Sequence, residues 1–196
     1  MKLVVLAPLR TEALAVRSAL PGVRVKRVGM GGTTADLADA DAVGIAGLCG
    51  AVAPELRAGD VVLATELRSE GRRPIACPGS EFLAEPLRRL RLRTHAGPIH
   101  TAPRILGPAE REALRATGVV AVDMESALLA GAVGNLPLAV LRVVVDAADR
   151  RLLSPRTLVA GTRALWTLRR ASGAFVDWVE AAVFAPAAPG DRLARV

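Results

Sequence analysis

Two apolar runs in the second half of the chain each end at an acidic residue. Val119–Val122 stops at Asp123, and Leu138–Val145 stops at Asp146. In open α/β sheets, ligands bind beyond the carboxyl ends of the strands. A carboxylate buried there costs free energy unless a polar group lies beside it. The pattern therefore predicts that these two acids mark a ligand site at which chemistry takes place.

The chain between the two acids has the composition of a helix. Ser126–Val133 is rich in alanine and leucine, which favour helices. Gly134 through Pro137 supplies a helix stop followed by a new start. The whole stretch predicts strand, helix and strand, with both acids at one edge of a sheet.

The remaining sequence alternates apolar strands with helical patterns. Further strands are predicted at 3–7, 23–28, 42–46, 61–64 and 94–101, and a loop at 68–78. Helices are predicted from Thr11 to about residue 20, at 80–90 and at 108–116. One long helix is predicted to begin at 154–155, with Trp166, Ala174 and Trp178 in the core. The alternation predicts a single α/β domain over 1–184 with a largely parallel sheet, then a flexible tail over 185–196.

Two glycine-rich segments follow predicted strands. Gly29–Gly32 could present backbone N–H groups to an anion, or could simply form a tight turn. Gly47–Pro54 follows the strand at 42–46, and glycines at a strand end let the backbone approach a ligand closely. Both segments are therefore candidate parts of the site.

Composition narrows the class of protein. The 196 residues are 52% hydrophobic and 23% charged, which is typical of a compact globular protein. The most apolar stretch, residues 127–145, is interrupted by Asn135, Pro137 and Arg142, so no membrane span is predicted. The N-terminus lacks the features of a signal peptide. We expect a cytoplasmic protein.

Neither metal nor cofactor is predicted. The two cysteines, Cys49 and Cys77, and the two histidines, His95 and His100, have no metal-ligand spacing. The net charge is +7, carried by scattered arginines, while aromatic residues make up only 3% of the chain. This scarcity of stacking side chains argues against nucleic-acid binding. Contact between a basic face and an anionic membrane is left open.

Five motifs, in order, resemble one known family. Val122-Asp123-Met124-Glu125-Ser126-Ala127 resembles the V-[ED]-M-E-[ST]-A signature of the purine nucleoside phosphorylase/uridine phosphorylase superfamily, nucleosidase branch. The other motifs are Glu12 after the first strand, Gly29-Met30-Gly31, the Gly47–Pro54 block with Gly59–Val62, and the Arg142–Asp149 block. The resemblance covers most of residues 1–149, although 68–110 matches poorly. It implies a three-layer αβα fold around a mixed, largely parallel sheet.

The resemblance also implies a reaction, cleavage of the N-glycosidic bond between ribose and a base. Asp146 is expected to protonate a purine at N7, for which burial must raise its pKa. Glu125 is expected to bind the ribose hydroxyls, and Met124 to pack against the sugar. Glu12 is expected to position or deprotonate water, although a favourable interaction with the helix dipole explains it equally well.

Further substrate-binding residues implied by the family motifs are Asp123, Gly47, Cys49 and Gly31. Family members are usually dimers or hexamers, so a homo-oligomer is expected. Related phosphorylases hold phosphate with an arginine and a serine where this chain has Ile45 and Leu48. Water is therefore favoured as the nucleophile, although Arg10 lies near the position of another phosphate-binding arginine.

Departures from the family motifs bear on the substrate. Val145 replaces the usual serine before Asp146, and Gly97–Gly107 lacks the aromatic residue expected to stack on the base. Chain length and the motifs around Asp123 and Asp146 look most like the hopanoid-associated nucleosidases, which release adenine from adenosylhopane. The alternatives are a methylthioadenosine/S-adenosylhomocysteine nucleosidase, a futalosine hydrolase, a phosphate-dependent phosphorylase and a non-catalytic nucleoside-binding module.

Overall fold

A computed structural model describes residues 1–29, 37–146 and 155–184. Within these residues the strands are β1 Leu3–Ala7, β2 Arg24–Arg27, β3 Ala42–Ala51, β4 Val61–Ser69, β5 Ile75–Ala76, β6 Thr94–Thr101, β7 Ala121–Asp123 and β8 Leu138–Asp146. The helices are α1 Arg10–Ala19, α2 Ala84–Arg89, α3 Pro108–Arg115, α4 Ser126–Val133, α5 Pro155–Ser172 and α6 Ala174–Phe184. A 3-10 helix at Pro78–Leu83 precedes α2.

The described strands form one mixed sheet that closes on itself. An open arm runs β2-β1-β3, with parallel pairing throughout. Beyond this arm, β3 pairs with both β7 and β8, and the ring is completed through β4 and β6. The β3–β7, β4–β8 and β4–β5 pairings are antiparallel and the other five are parallel. The predicted mixed, largely parallel sheet is confirmed.

Helices cover both faces of this sheet. Alternating residues of β1 point to opposite sides, as the pleat requires. Val5 packs in a buried cluster with residues of α1, α5 and α6, whereas Leu6 packs in a second cluster with residues of α4. The predicted three-layer αβα arrangement is therefore confirmed. Among the described residues, no helix combines the length and apolar character needed to cross a membrane.

Several predicted elements have different bounds in the structure. The strands predicted at 42–46 and 61–64 continue to Ala51 and Ser69. β3 extends through its glycines because β7 and β8 pair with them. The predicted loop at 68–78 includes the short strand β5. The predicted tail at 185–196 lies outside the described residues.

The C-terminal helix was predicted as one piece, which is wrong. Gly173 separates α5 from α6, and glycine is a poor helix former. The prediction that Trp166 lies in the core is also wrong, since 56% of it is exposed and the Arg170 guanidinium lies 4.6 Å from its ring centroid. Ala174 and Trp178 are buried as predicted.

The two strand-end acids converge for a reason other than the one predicted. The sequence predicted a shared edge of parallel strands, but β7 runs antiparallel to β3 whereas β8 runs parallel to it. Val122 and Asp146 both pair with Gly50, next to an irregularity in the ladder between Cys49 and Gly50. The carboxyl end of β3 therefore brings Asp123 and Asp146 together.

Candidate active site

A cleft of about 250 Å³ opens where β3, β7 and β8 end. Six of the eight predicted site residues line it, namely Glu12, Cys49, Asp123, Met124, Glu125 and Asp146. The rest of its wall is largely apolar and comprises Leu9, Leu48, Gly50, Arg104, Ile105, Leu106, Arg111, Val122 and Val145. Of the other two predicted residues, Gly47 does not line the cleft and Gly31 lies outside the described residues.

Asp146 ends β8 and is almost completely buried. Its Oδ2 accepts a hydrogen bond of 2.8 Å from Arg111 Nη2. Its Oδ1 is buried and has no hydrogen-bond partner in the described structure. Burial raises the pKa of Asp146 and outweighs the opposing effect of the Arg111 guanidinium. Asp146 therefore holds a proton at a higher pH than a free aspartate does.

Glu125 immediately precedes α4 and is also buried. Burial is the main cause that raises its pKa. The Arg142 guanidinium opposes this rise, and the carboxylates of Asp123 and Glu12 add to it. The neighbouring Met124 is half-buried and supplies an apolar surface beside the carboxylate. The pair offers a hydrogen-bonding group and an apolar contact to one ligand.

Glu12 lies in the first turn of α1 and ties that helix to β3. Its Oε2 accepts a hydrogen bond of 2.7 Å from the Leu9 N–H, which caps the helix. Its Oε1 accepts one of 2.8 Å from the Leu48 N–H. Glu12 thus has a structural role as a helix cap and as a link between α1 and β3. Each carboxylate oxygen has a second lone pair, so Glu12 can also accept a hydrogen bond from a ligand in the cleft.

A buried arginine supports the acidic residues from behind. Arg142 is 0% exposed, and its Nε lies 2.9 Å from Asp123 Oδ2. Its Nε and Nη2 donate to Ser126 Oγ over 3.0 and 2.8 Å. Burial alone lowers the pKa of Arg142, but the carboxylates of Asp123, Glu12 and Glu125 more than reverse that effect. Arg142 is therefore a fixed positive charge behind the cleft.

Asp123 belongs mainly to this network. Its Oδ1 accepts hydrogen bonds from Thr101 Oγ1 at 2.7 Å and from the Ser126 N–H at 3.2 Å. Its Oδ2 faces Arg142. Both oxygens are thus engaged by the protein, and the contacts of Asp123 make it an anchor for Arg142 at the wall of the cleft.

The absence of a side chain at Gly47 leaves space for neighbouring side chains. A Cβ added there would lie 2.2 Å from Arg142 Nη1 and 2.9 Å from Glu12 Oε1. Only glycine leaves room for the two side chains at this point of β3. The close approach predicted for this glycine is present, but it is to Arg142 and Glu12.

Arg111, on α3, was missed by the sequence analysis. Its helix was predicted at 108–116, but Arg111 stands there among other charged residues and no spacing marks it as special. Arg111 is nonetheless buried against Asp146, whereas Arg115 on the same helix is exposed and pairs with Glu112. Only the three-dimensional packing of α3 against the end of β3 distinguishes the two arginines.

The described residues contain no group of three or more His, Cys, Asp or Glu side chains able to hold a metal ion. Cys49 lines the cleft, but burial raises the pKa of its thiol, which disfavours the nucleophilic thiolate. The charged side chains that line the cleft are carboxylates and arginines.

A model of the phosphorylase superfamily matches residues 11–183. The chain belongs to the phosphorylase superfamily. No curated protein sequence matches this superfamily member significantly.

Solved structures resemble this superfamily member over nearly the whole fold. The 5′-methylthioadenosine/S-adenosylhomocysteine nucleosidase of Campylobacter jejuni is 17% identical with a TM-score of 0.75, covering 92% of this chain and 99% of its own. That of Neisseria meningitidis, in complex with methylthio-immucillin-A, is 19% identical with a TM-score of 0.74, covering 92% and 100%. The futalosine hydrolase of Helicobacter pylori is 17% identical with a TM-score of 0.72, covering 92% and 98%. At these identities the likeness establishes the shared fold.

Proposed function

We propose that this protein is a nucleosidase that hydrolyses the N-glycosidic bond of an adenosine-type nucleoside and releases adenine. The observation that carries the proposal is the buried Asp146, with its raised pKa, in one cleft with Glu125 and Glu12. Superfamily membership supports the reaction class. The nucleosidase and hydrolase activities in the names of the structural neighbours point the same way.

Each carboxyl group has a separate task in the proposed reaction. As the bond from ribose to base breaks, its electron pair leaves with the base, and the proton of Asp146 passes to N7. Glu125 accepts hydrogen bonds from the ribose hydroxyls and stabilises the positive charge that develops on the sugar. Water adds to the anomeric carbon, and Glu12 accepts its proton. Proton exchange with solvent then restores both acids.

The residues at the two expected phosphate positions support water over phosphate as the nucleophile. Ile45 is fully buried within β3 and Leu48 presents an apolar side chain to the cleft, so neither binds phosphate.

The apolar wall of the cleft favours a nucleoside with a large apolar 5′ substituent. Leu9 and Ile105 are exposed apolar side chains among its lining residues, with Ile105 60% exposed. As the finer form of the proposal, the substrate is adenosylhopane and the pathway is hopanoid biosynthesis. The enzyme would then work in the cytoplasm as a homo-oligomer, in contact with the membrane surface that holds its substrate.

The test is a product assay with and without phosphate. Adenosine, methylthioadenosine, S-adenosylhomocysteine, futalosine and adenosylhopane are incubated separately with the protein, and released base is measured by chromatography. We expect adenine from adenosylhopane without phosphate. Release that requires phosphate would make the protein a phosphorylase, and release from another substrate alone would replace adenosylhopane.

Two matched variants test the assignment of the acid. Asp146→Asn cannot donate a proton and should lower kcat by about 10²- to 10⁴-fold. Asp177→Asn is the control, because Asp177 is an exposed residue of α6 that pairs with Arg89. Full activity in Asp146→Asn would show that another group protonates the base. If no substrate is cleaved but one raises the melting temperature, the protein is a nucleoside-binding module.

A further inference from the structure

The Arg111 side chain joins three parts of the cleft wall. Its Nε donates to the Leu106 carbonyl at 3.2 Å, its Nη1 to the Ala51 carbonyl at 3.0 Å, and its Nη2 to Asp146 Oδ2 at 2.8 Å. Both side chains of the ion pair are only 5% exposed. Every nitrogen of the guanidinium is thus anchored, and the planar group has little freedom to rotate.

Because of these contacts, the two carboxylate oxygens of Asp146 have different environments. Oδ2 is committed to Arg111, whereas Oδ1 is buried against Gly50 without a hydrogen-bond partner in the described structure. A Cβ at Gly50 would lie 2.9 Å from Oδ1 and 3.1 Å from Arg111 Nη2, so glycine is what allows the pair to sit there. An unpartnered buried oxygen is unfavourable unless a ligand supplies a partner.

We propose that Arg111 is the positioning residue of the general acid. It holds Oδ2 of Asp146, which leaves Oδ1 to carry the proton that is delivered to the base. This inference rests on the proposed nucleosidase reaction, and it adds a residue that the sequence motifs did not mark. Arg111 acts through Asp146 and does not itself transfer a proton.

A fixed positive charge beside the acid also sets the pH range of activity. The Arg111 guanidinium lowers the pKa of Asp146 against the larger effect of burial. The other titratable or charged side chains that line the cleft are Glu12, Cys49, Arg104, Asp123 and Glu125. All of them are still present when only Arg111 is replaced. Removing Arg111 should therefore raise the pKa of Asp146 and move the alkaline limb of kcat to higher pH.

Two substitutions separate the charge of Arg111 from its geometry. Arg111→Met removes both, so kcat should fall by about 10- to 100-fold through loss of orientation, and the pKa of Asp146 should rise. Arg111→Lys keeps the positive charge but cannot make the three anchoring contacts, so kcat should fall with a smaller change in pKa. Arg115→Met, at an exposed arginine of the same helix, should change neither.

The pKa of Asp146 is measured directly by carboxyl ¹³C NMR titration, which requires no substrate and no activity. If the wild type releases no base, the proposed function fails, while the titration still reports on the ion pair. If Arg111→Met leaves either kcat or the Asp146 titration as in the wild type, the positioning role is wrong. Should Arg111→Met not fold, Arg111→Lys decides the question, because wild-type kcat in that variant would also refute it.

Discussion

Replacing Gly47 with alanine tests whether Arg142 is held rigidly behind the cleft. The added Cβ would lie 2.2 Å from Arg142 Nη1 and 2.9 Å from Glu12 Oε1. Non-bonded heavy atoms favour separations of about 3.5–4.0 Å, so the guanidinium would have to move by more than about 1 Å. Such a move is easy for an exposed arginine, but Arg142 is 0% exposed, is hydrogen-bonded to Ser126 and is ion-paired with Asp123.

The expected cost follows from this confinement. Overpacking of a core costs about 1–3 kcal/mol, and disruption of a buried ion pair costs about 3–5 kcal/mol. We expect Gly47→Ala to lower the free energy of unfolding by about 3 kcal/mol or more. For a chain of this size, that corresponds to a melting temperature lower by roughly 6–12 °C.

Thermal unfolding followed by circular dichroism measures the effect, and base release measures its consequence for the cleft. The matched control is Gly131→Ala on α4, where the nearest atom to the added Cβ is Arg72 Nη1 at 3.8 Å. Alanine is favoured over glycine in a helix by up to about 1 kcal/mol, so this control should melt at or above the wild-type temperature. A Gly47→Ala protein with wild-type melting and activity would show that Arg142 moves freely, which would refute the reasoning.

Two further predictions concern the buried acids. Asp123→Asn removes the charge that faces Arg142 and should lower the free energy of unfolding, measured by urea titration, by about 3–5 kcal/mol. The control is Glu112→Gln, at an exposed ion pair. Equal urea midpoints for the two variants would contradict the prediction. Burial raises the pKa of Glu125, so the folded state binds the proton of this carboxyl group more tightly than the unfolded state does. The stability that this proton contributes is lost as the pH rises through the pKa of the folded state. The melting temperature of Glu125→Gln minus that of the wild type should therefore increase as the pH rises from 4 to 8. A constant difference across that range would rule out this linkage.

Local signals made the central stretch of the chain predictable. The apolar runs before Asp123 and Asp146, and the helix stop at Gly134, each act within a few residues. The structure accordingly has α4 at Ser126–Val133, as predicted, and ends β8 at Asp146, one residue beyond the predicted run. The predicted helix over 108–116 likewise ends within one residue of α3.

Features that depend on distant pairing were not predictable in the same way. The antiparallel entry of β7 beside β3 depends on residues about 70 positions apart, and no local pattern encodes it. Arg111 resembles Arg115 in sequence, yet only Arg111 packs against Asp146. The break at Gly173 divides the last segment into two helices, and Trp178 in α6 is buried whereas Trp166 in α5 is exposed.

The cleft cannot form before β8 is synthesised, and β8 comes late in the chain. β8 fills the gap between β3 and β4 and carries both Arg142 and Asp146. A nascent chain synthesised only as far as Asn135 therefore has unpaired edges on β3 and β4 and lacks the proposed general acid. Such edges are templates for pairing with other chains, and non-local strand pairing is slow to form. Until β8 has been synthesised, the edges of β3 and β4 that it covers in the fold are therefore open to pairing with other chains.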